Sequence, residues 1–129
     1  NELQQVPKGQ PLFSGSLPAH GALLIAVRRT AEIGSPRYLG SDLHISQGVE
    51  VRQWQAEDYR LNFTIDLGQD CEGMVDLYLP RPASSITSNG KPVEWLTLSE
   101  HCVRLKIKIF HSADIAVQYS KAPPVNKRR

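Results

Sequence analysis

Hydrophobic and polar residues alternate along much of this chain. The alternation is clearest in residues 59–67 and in residues 103–109. A period of two is typical of a β-strand that buries one face and exposes the other. The residues expected to point inward are Leu61, Phe63, Ile65 and Leu67 in the first segment and Val103, Leu105, Ile107 and Ile109 in the second.

Turn residues separate these segments and predict hairpins. Asn89 and Gly90 form the pair that a two-residue type I′ turn favours, because both central residues need a positive φ. Residues 46–48, Ser-Gln-Gly, lie between two further predicted strands, residues 38–45 and 49–55, and predict a second hairpin.

The remaining apolar segments also predict strands. Residues 22–28 are apolar on both faces, which indicates a central strand. Later inward positions are Val75, Leu77 and Leu79 in one strand and Ile115, Val117 and Tyr119 in the last one. Short strands at regular spacing, without helical periodicity, predict an all-β fold: an antiparallel two-sheet β-sandwich of Greek-key type.

Length and charge refine this picture. The 129 residues suit one domain, which we place at residues 12–120, after an entry segment at 1–11 and before a basic, disordered tail at 121–129. The formal net charge of +2 and the scattered basic residues argue against a nucleic-acid partner. No apolar run approaches the roughly 20 residues of a membrane helix. Because the chain starts at Asn1 rather than Met, we expect it to be a piece of a longer protein.

Candidate catalytic residues form no recognisable constellation. The four histidines, His20, His44, His101 and His111, lack zinc-type spacing, so we expect isolated, hydrogen-bonded imidazoles. Asp42 and His44 with Ser41 or Ser46 suggest a hydrolytic triad, but the sequence has no nucleophile elbow. We therefore expect no catalytic, cofactor or metal site, and a domain that is not an enzyme by itself.

The two cysteines, Cys71 and Cys102, are expected to be free and partly buried. Each lies at the start of a predicted strand, and nothing in the sequence brings them together.

Four aromatic residues are candidates for contact with carbohydrate or with another domain: Trp54, Trp95, Tyr38 and Tyr59. Aromatic rings on a sandwich can stack against the C–H face of a sugar. Strand alternation places Trp54 on the face opposite Val51, where it is exposed or covers an interface. Core packing is the competing role for such rings.

Three stretches of sequence resemble one family. These are residues 17–27, L-P-A-H-G-A-L-L-I-A-V, residues 36–48, and residues 86–119 with Asn89-Gly90-Lys91. Over residues 12–119 the chain resembles the C-terminal β-sandwich domain of α-galactosidases and related melibiase-type glycoside hydrolases. The resemblance implies a non-catalytic accessory domain that packs against and stabilises the catalytic (β/α)₈ barrel of the same parent chain. It carries over no catalytic residue, and it implies a structural role for His20.

Two other function classes remain open from the residues themselves, an independent carbohydrate-binding module and a structural or protein-interaction sandwich. An accessory domain is expected to expose a sizeable apolar surface. A sugar binder is expected to expose coplanar aromatic rings among polar side chains, and an interaction sandwich is expected to offer an open edge strand.

Overall fold

Nine β-strands, and no helix, make up the regular structure of the residues that are described. The structure, a computed structural model, describes residues 4, 6–11, 14–23, 25, 27–28, 35–43 and 48–120. The strands are β1 (Arg37–Ser41), β2 (Val51–Ala56), β3 (Arg60–Asp66), β4 (Cys71–Tyr78), β5 (Ala83–Ser88), β6 (Lys91–Pro92), β7 (Glu94–Thr97), β8 (Cys102–Ile109) and β9 (Ser112–Tyr119).

The strands form two antiparallel sheets that face each other. One sheet has four strands in the order β1-β4-β8-β7, and the other has five in the order β2-β3-β9-β5-β6. Strands β4 and β8 pair along their whole length, and all of β3 pairs with β9, so each sheet has a long central pair flanked by shorter strands. The predicted all-β sandwich is therefore confirmed.

The core lies between the inner faces of these central pairs. The inward positions read from the alternation are buried: Leu61, Phe63, Ile65, Val75, Leu77, Leu79, Val103, Leu105, Ile107, Ile109, Ile115, Val117 and Tyr119. Ile86 of β5 completes this layer. The period-two reading of these strands is confirmed, because a residue and its second neighbour face the same side of a sheet.

A very tight connection takes the chain from one sheet to the other. Between β8 and β9 stand only Phe110 and His111, and the Ser112 amide donates to the Phe110 carbonyl at 2.7 Å, with a φ of 63° at His111. This is the hydrogen bond of a γ-turn, which is rare with a positive φ. The His111 carbonyl in turn accepts the amides of Leu67 and Gly68, so the turn is held by the loop after β3.

The Asn89-Gly90 hairpin is confirmed. The two residues have φ values of 50° and 79°, and Ser88 of β5 pairs with Lys91 of β6 on either side of them. The hairpin is also bound to β9, since the Asn89 amide donates to the Asp114 carbonyl and the Asn89 side chain accepts the Asp114 amide, both at 2.8 Å.

Two sequence predictions about the first half of the chain are wrong. The described members of residues 22–28 belong to no strand, because the central positions of both sheets are taken by later strands. The strand pairing that a hairpin at residues 46–48 requires is contradicted as well, since the described flanking strands β1 and β2 lie in different sheets. Residues 44–47 lie outside the described part of the chain, and the Gly48 amide donates to the Glu50 carboxylate at 2.9 Å.

The outward face of the four-stranded sheet carries all three basic residues of β8. Lys106 and Lys108 are exposed, as expected for a solvated face. Arg104 differs, because its guanidinium donates to both carboxylate oxygens of Asp76, at 2.8 and 3.0 Å, and Asp76 is only 7% exposed. That hydrogen bonding raises the pKa of Arg104. A planar, bidentate pair of this kind fixes two strands to each other.

We expect the Leu105→Ala variant to lose about 2–5 kcal/mol of the free energy of unfolding, the usual range for a fully buried leucine. The matched control is Leu96→Ala, because Leu96 lies on the adjacent strand β7 but is 61% exposed. Its loss should stay within about 0.5 kcal/mol. Urea denaturation followed by circular dichroism measures the free energy of unfolding of both variants. Equal losses would contradict the burial of Leu105 between the sheets.

Candidate functional site

Two of the four predicted aromatic residues pack inside the sandwich. Tyr38 of β1 and Trp54 of β2 are partly buried and both contact Phe63 of β3, with ring centroids 6.3 Å and 5.0 Å from the Phe63 ring. The Tyr38 ring meets Phe63 edge-on, a favourable arrangement for aromatic pairs. These two rings therefore extend the core and join the sheets at one edge.

A β-bulge explains why Trp54 points inward. The pairing of β2 with β3 shifts between Arg52 and Gln55, so that Gln53 and Trp54 together stand opposite Phe63. Gln53 takes the left-handed conformation, with a φ of 55°. The extra residue reverses the alternation, which is why the sequence expectation that Trp54 lies opposite Val51 is wrong.

The other two aromatic residues lie elsewhere. Trp95 of β7 pairs with Leu105, which places it on the inner face at the edge of the four-stranded sheet, where it is 38% exposed. Tyr59 comes just before β3 of the other sheet. The Arg60 guanidinium carbon lies over the Tyr59 ring, 5.8 Å from the centroid of that ring. The four aromatic residues thus form no common platform for a sugar ring.

A buried carboxylate, Glu50, organises the edge where β1 meets β2. It accepts hydrogen bonds from the hydroxyls of Tyr38 at 2.8 Å and Ser41 at 3.3 Å, besides the Gly48 amide. Burial, with the hydrogen bond and negative charge of Glu50, raises the pKa of Tyr38 well above its ordinary value. With these donors the carboxylate is held as a structural anchor between the sheets.

A groove of about 400 Å³ crosses the outward face of the five-stranded sheet. Its polar lining consists of Gln53, Gln55, Asn62, Thr64, Thr87 and Asp114. The bulged strand β2 forms one wall, and Gly90 of the β5–β6 hairpin lies at the other. Asn62 and Thr64 alternate with the inward residues of β3 and so face outward. The groove itself could not be read from the sequence, because only the topology shows which strands are neighbours.

An apolar stretch near the start of the described chain is solvent-exposed. Leu17, Leu23, Ile25 and Val27 are about half exposed, between 48% and 55%. The stretch is fastened to the edge of the four-stranded sheet, since Arg28 donates through Nε to the Tyr38 carbonyl at 3.2 Å. Exposed apolar side chains at this density mark a surface suited to contact with another body.

Histidines, cysteines and acidic residues provide no reactive cluster in the described part of the chain. No group of three His, Cys, Asp or Glu residues there is placed to hold a metal. His101 bonds through Nδ1 to the Leu79 carbonyl at 2.9 Å and stacks on Tyr78, as expected of an isolated imidazole. Of the imagined triad, Asp42 accepts the Met74 amide at 2.6 Å, Ser41 binds Glu50, and His44 and Ser46 lie outside the described residues.

The cysteines are free and partly buried, as the sequence predicted. Cys71 and Cys102 lie at opposite ends of the paired strands β4 and β8. A disulfide needs Cα atoms within about 7 Å, so the two cannot form one in this fold.

Comparison with known proteins identifies no relative. No family model matches the chain, and neither the curated proteins nor the solved structures give a match. The resemblance to α-galactosidase C-terminal domains therefore stays a prediction. In the described part of the chain, no helix has the length and apolar character needed to cross a membrane.

The strained residue of the bulge yields a stability prediction. Replacing Gln53 with Gly should leave the free energy of unfolding within about 0.5 kcal/mol, because relief of the positive φ offsets the added flexibility. Replacing it with Val should remove about 1–2 kcal/mol, since a β-branched residue is unfavourable in the left-handed region. Thermal or urea unfolding compares the two, and a Val variant as stable as the Gly variant would contradict the bulge geometry.

The buried Tyr38 hydroxyl yields a pH prediction. Its pKa is raised in the folded protein, so its contribution to stability is complete below the unfolded pKa of about 10 and is lost as the pH rises through the higher folded value. The free energy of unfolding should therefore fall above about pH 10, and fall less steeply in Tyr38→Phe.

At neutral pH the Tyr38→Phe variant should already be less stable by about 1–3 kcal/mol, because buried Glu50 loses a donor. Tyr119→Phe is the control, since burial raises the pKa of that tyrosine too but its hydroxyl donates to the Glu57 carbonyl instead of a carboxylate. Urea denaturation at neutral and alkaline pH measures all three proteins, and an unchanged alkaline slope in Tyr38→Phe would argue against the assignment.

Proposed function

We propose that this chain is a non-catalytic accessory β-sandwich domain of a carbohydrate-active hydrolase of the α-galactosidase type. In this proposal the domain packs against the catalytic (β/α)₈ barrel of its parent chain and stabilises it. The parent chain, rather than this domain, carries out the hydrolysis of an α-glycoside.

The exposed apolar stretch is the observation that carries the proposal. Leu23, Ile25 and Val27 repeat with the period of a strand, yet each is about half exposed. Full burial of such side chains is worth about 1.5–3 kcal/mol each, which is a strong reason for a partner surface to cover them. The stretch lies within residues 17–27, one of the three segments on which the family resemblance depends.

The dispersed aromatic residues support this choice over a carbohydrate-binding module built on an aromatic platform. Tyr38 and Trp54 pack on Phe63, while Trp95 lies in the four-stranded sheet and Tyr59 lies just before a strand of the other sheet. A stacking site needs rings that share a plane and are accessible to the ligand.

The proposal first predicts what the gene encodes before Asn1. An accessory domain of this type should be preceded, in the same reading frame, by a (β/α)₈ barrel, whose length is about 250 residues. Sequencing of the complete transcript or gene tests this directly. A parent protein without such a barrel would overturn the proposal.

Within the parent enzyme, the triple variant Leu23→Ser, Ile25→Ser and Val27→Ser should reduce the thermal half-life of glycosidase activity. The loss of interface should be roughly 1 kcal/mol for each half-buried side chain. The same substitutions should destabilise the isolated 129-residue chain less than the parent, because about half of each side chain is already exposed to water there. Leu96→Ser is the control, an equally exposed apolar residue on the outward face of β7. A triple variant that behaves like this control in the parent would count against the proposal.

A further inference from the structure

We propose that the groove on the five-stranded sheet binds a neutral carbohydrate, which it recognises through hydrogen bonds rather than through aromatic stacking. The inference does not depend on the packing surface proposed above, because that surface involves a different part of the chain. It rests on the shape of the groove, the chemistry of its lining and the bulge that builds one wall.

The groove is concave because a small residue lies between larger ones. One row of cross-strand neighbours runs from Gln55 of β2 through Asn62 of β3, Ala116 of β9 and Thr87 of β5. All four residues line the groove. The methyl group of Ala116 in the centre leaves a depression flanked by an amide and a hydroxyl. Residues paired directly across strands face the same side of the sheet, so these side chains converge on one space.

Both walls of the groove are rigid. On one side the bulge directs Gln53 and Gln55 toward the groove, and Gln53 keeps its φ of 55° although it is not glycine. Residues held in a sparsely populated conformation cluster at binding sites, as do bulges that redirect a side chain. On the other side the Asn89–Gly90 turn is tied to Asp114 by two hydrogen bonds. A site with fixed walls loses little entropy when a ligand binds.

The lining chemistry fits a neutral, hydroxylated ligand. Amide side chains offer both donors and acceptors, and a threonine hydroxyl offers the same, which matches sugar hydroxyl groups. Among the described residues no Lys or Arg lines the groove, and its one carboxylate, Asp114, accepts the Thr64 hydroxyl at 2.8 Å. An anionic ligand would therefore find no counter-charge there.

Besides Asp114, two ion pairs on this face lie at the strand ends. At one end, Arg52 Nε lies 3.8 Å from a carboxylate oxygen of Asp66. At the other end, Arg60 Nε lies 2.8 Å from a carboxylate oxygen of Glu57. The hydrogen bond from Arg60 lowers the pKa of Glu57. The outward face of the other sheet instead exposes Lys106 and Lys108. The lack of Lys and Arg in the described lining is thus a local property of the groove face.

The volume of the groove suits a short saccharide. At about 400 Å³, it falls within the range of roughly 300–1,000 Å³ seen for small-molecule sites. Phe63 borders the groove, but it is only 2% exposed and its side chain packs in the core. Without an accessible aromatic ring to stack on, the sugar would be held by hydrogen bonds that compete with water. We therefore expect weak affinity, with a Kd near 1 mM, equivalent to about 4 kcal/mol of binding free energy.

The test is a titration of the full chain, isotopically labelled, followed by NMR chemical shifts. The probes are the neutral disaccharides melibiose, maltose and cellobiose, with glucuronic acid as an anionic sugar. At least one neutral disaccharide should give saturable shifts centred on the amides of Gln53, Asn62, Thr87 and Asp114. Glucuronic acid should bind more weakly, because the described lining holds the Asp114 carboxylate and no Lys or Arg.

Two variants and a matched control distinguish binding from folding. Gln53→Gly keeps the bulge while removing the side chain, and Asn62→Ala removes an amide from the groove floor; each should weaken binding about five- to tenfold, the effect of one neutral hydrogen bond. Gln118→Ala is the control, because Gln118 lies on the same face of β9 but does not line the groove. Its affinity should be unchanged, and thermal unfolding should show that all three variants fold.

Several results would overturn the inference. They are the absence of saturable shifts with any probe, shifts centred on Trp95 or Tyr59 rather than on the groove, equal affinity for glucuronic acid, and unchanged affinity in both groove variants. Because the titration contains no barrel, none of these results bears on whether the apolar stretch packs against one.

Discussion

Close packing between the inner faces of two antiparallel sheets is the interaction on which the rest of this structure depends. The paired strands β4–β8 and β3–β9 supply most of the buried aliphatic side chains, and each is held by a neighbour on both sides. The γ-turn at His111 places β8 and β9, consecutive in the chain, in opposite sheets. Edge strands, hairpins and loops attach to this centre, and their polar groups are satisfied around it.

The same core explains the features at the edges. Trp54 is large and amphipathic, and the bulge at Gln53 lets it cover Phe63 instead of facing water. Once the bulge exists, Gln53 and Gln55 are directed to the outward groove. Burial of a carboxylate at Glu50 is compatible with the core because hydroxyl and amide donors surround it. In the described part of the chain, every buried side-chain nitrogen or oxygen has a hydrogen-bond partner.

Two surfaces remain that the core does not explain, and they differ in chemistry. The apolar stretch around Leu23 and Val27 is linked to β1 of the four-stranded sheet, whereas the polar groove lies on the five-stranded sheet. The two surfaces share no residue. The accessory role and carbohydrate binding that we propose are therefore compatible with each other, and each stands on its own observation.

The sequence alone determined the fold class and the inward residues of β3, β4, β8 and β9, through their period-two patterning. It also determined the Asn89-Gly90 turn, through the residue types. These are local properties: alternation follows from strand geometry, and the turn follows from the φ values that two residues tolerate. Strand order, the exposure of Leu23, Ile25 and Val27, the inward position of Trp54 and the assembly of the groove were decided only by the tertiary structure. Each depends on which distant segments become neighbours, and a bulge of one residue is enough to reverse a face that alternation alone assigns.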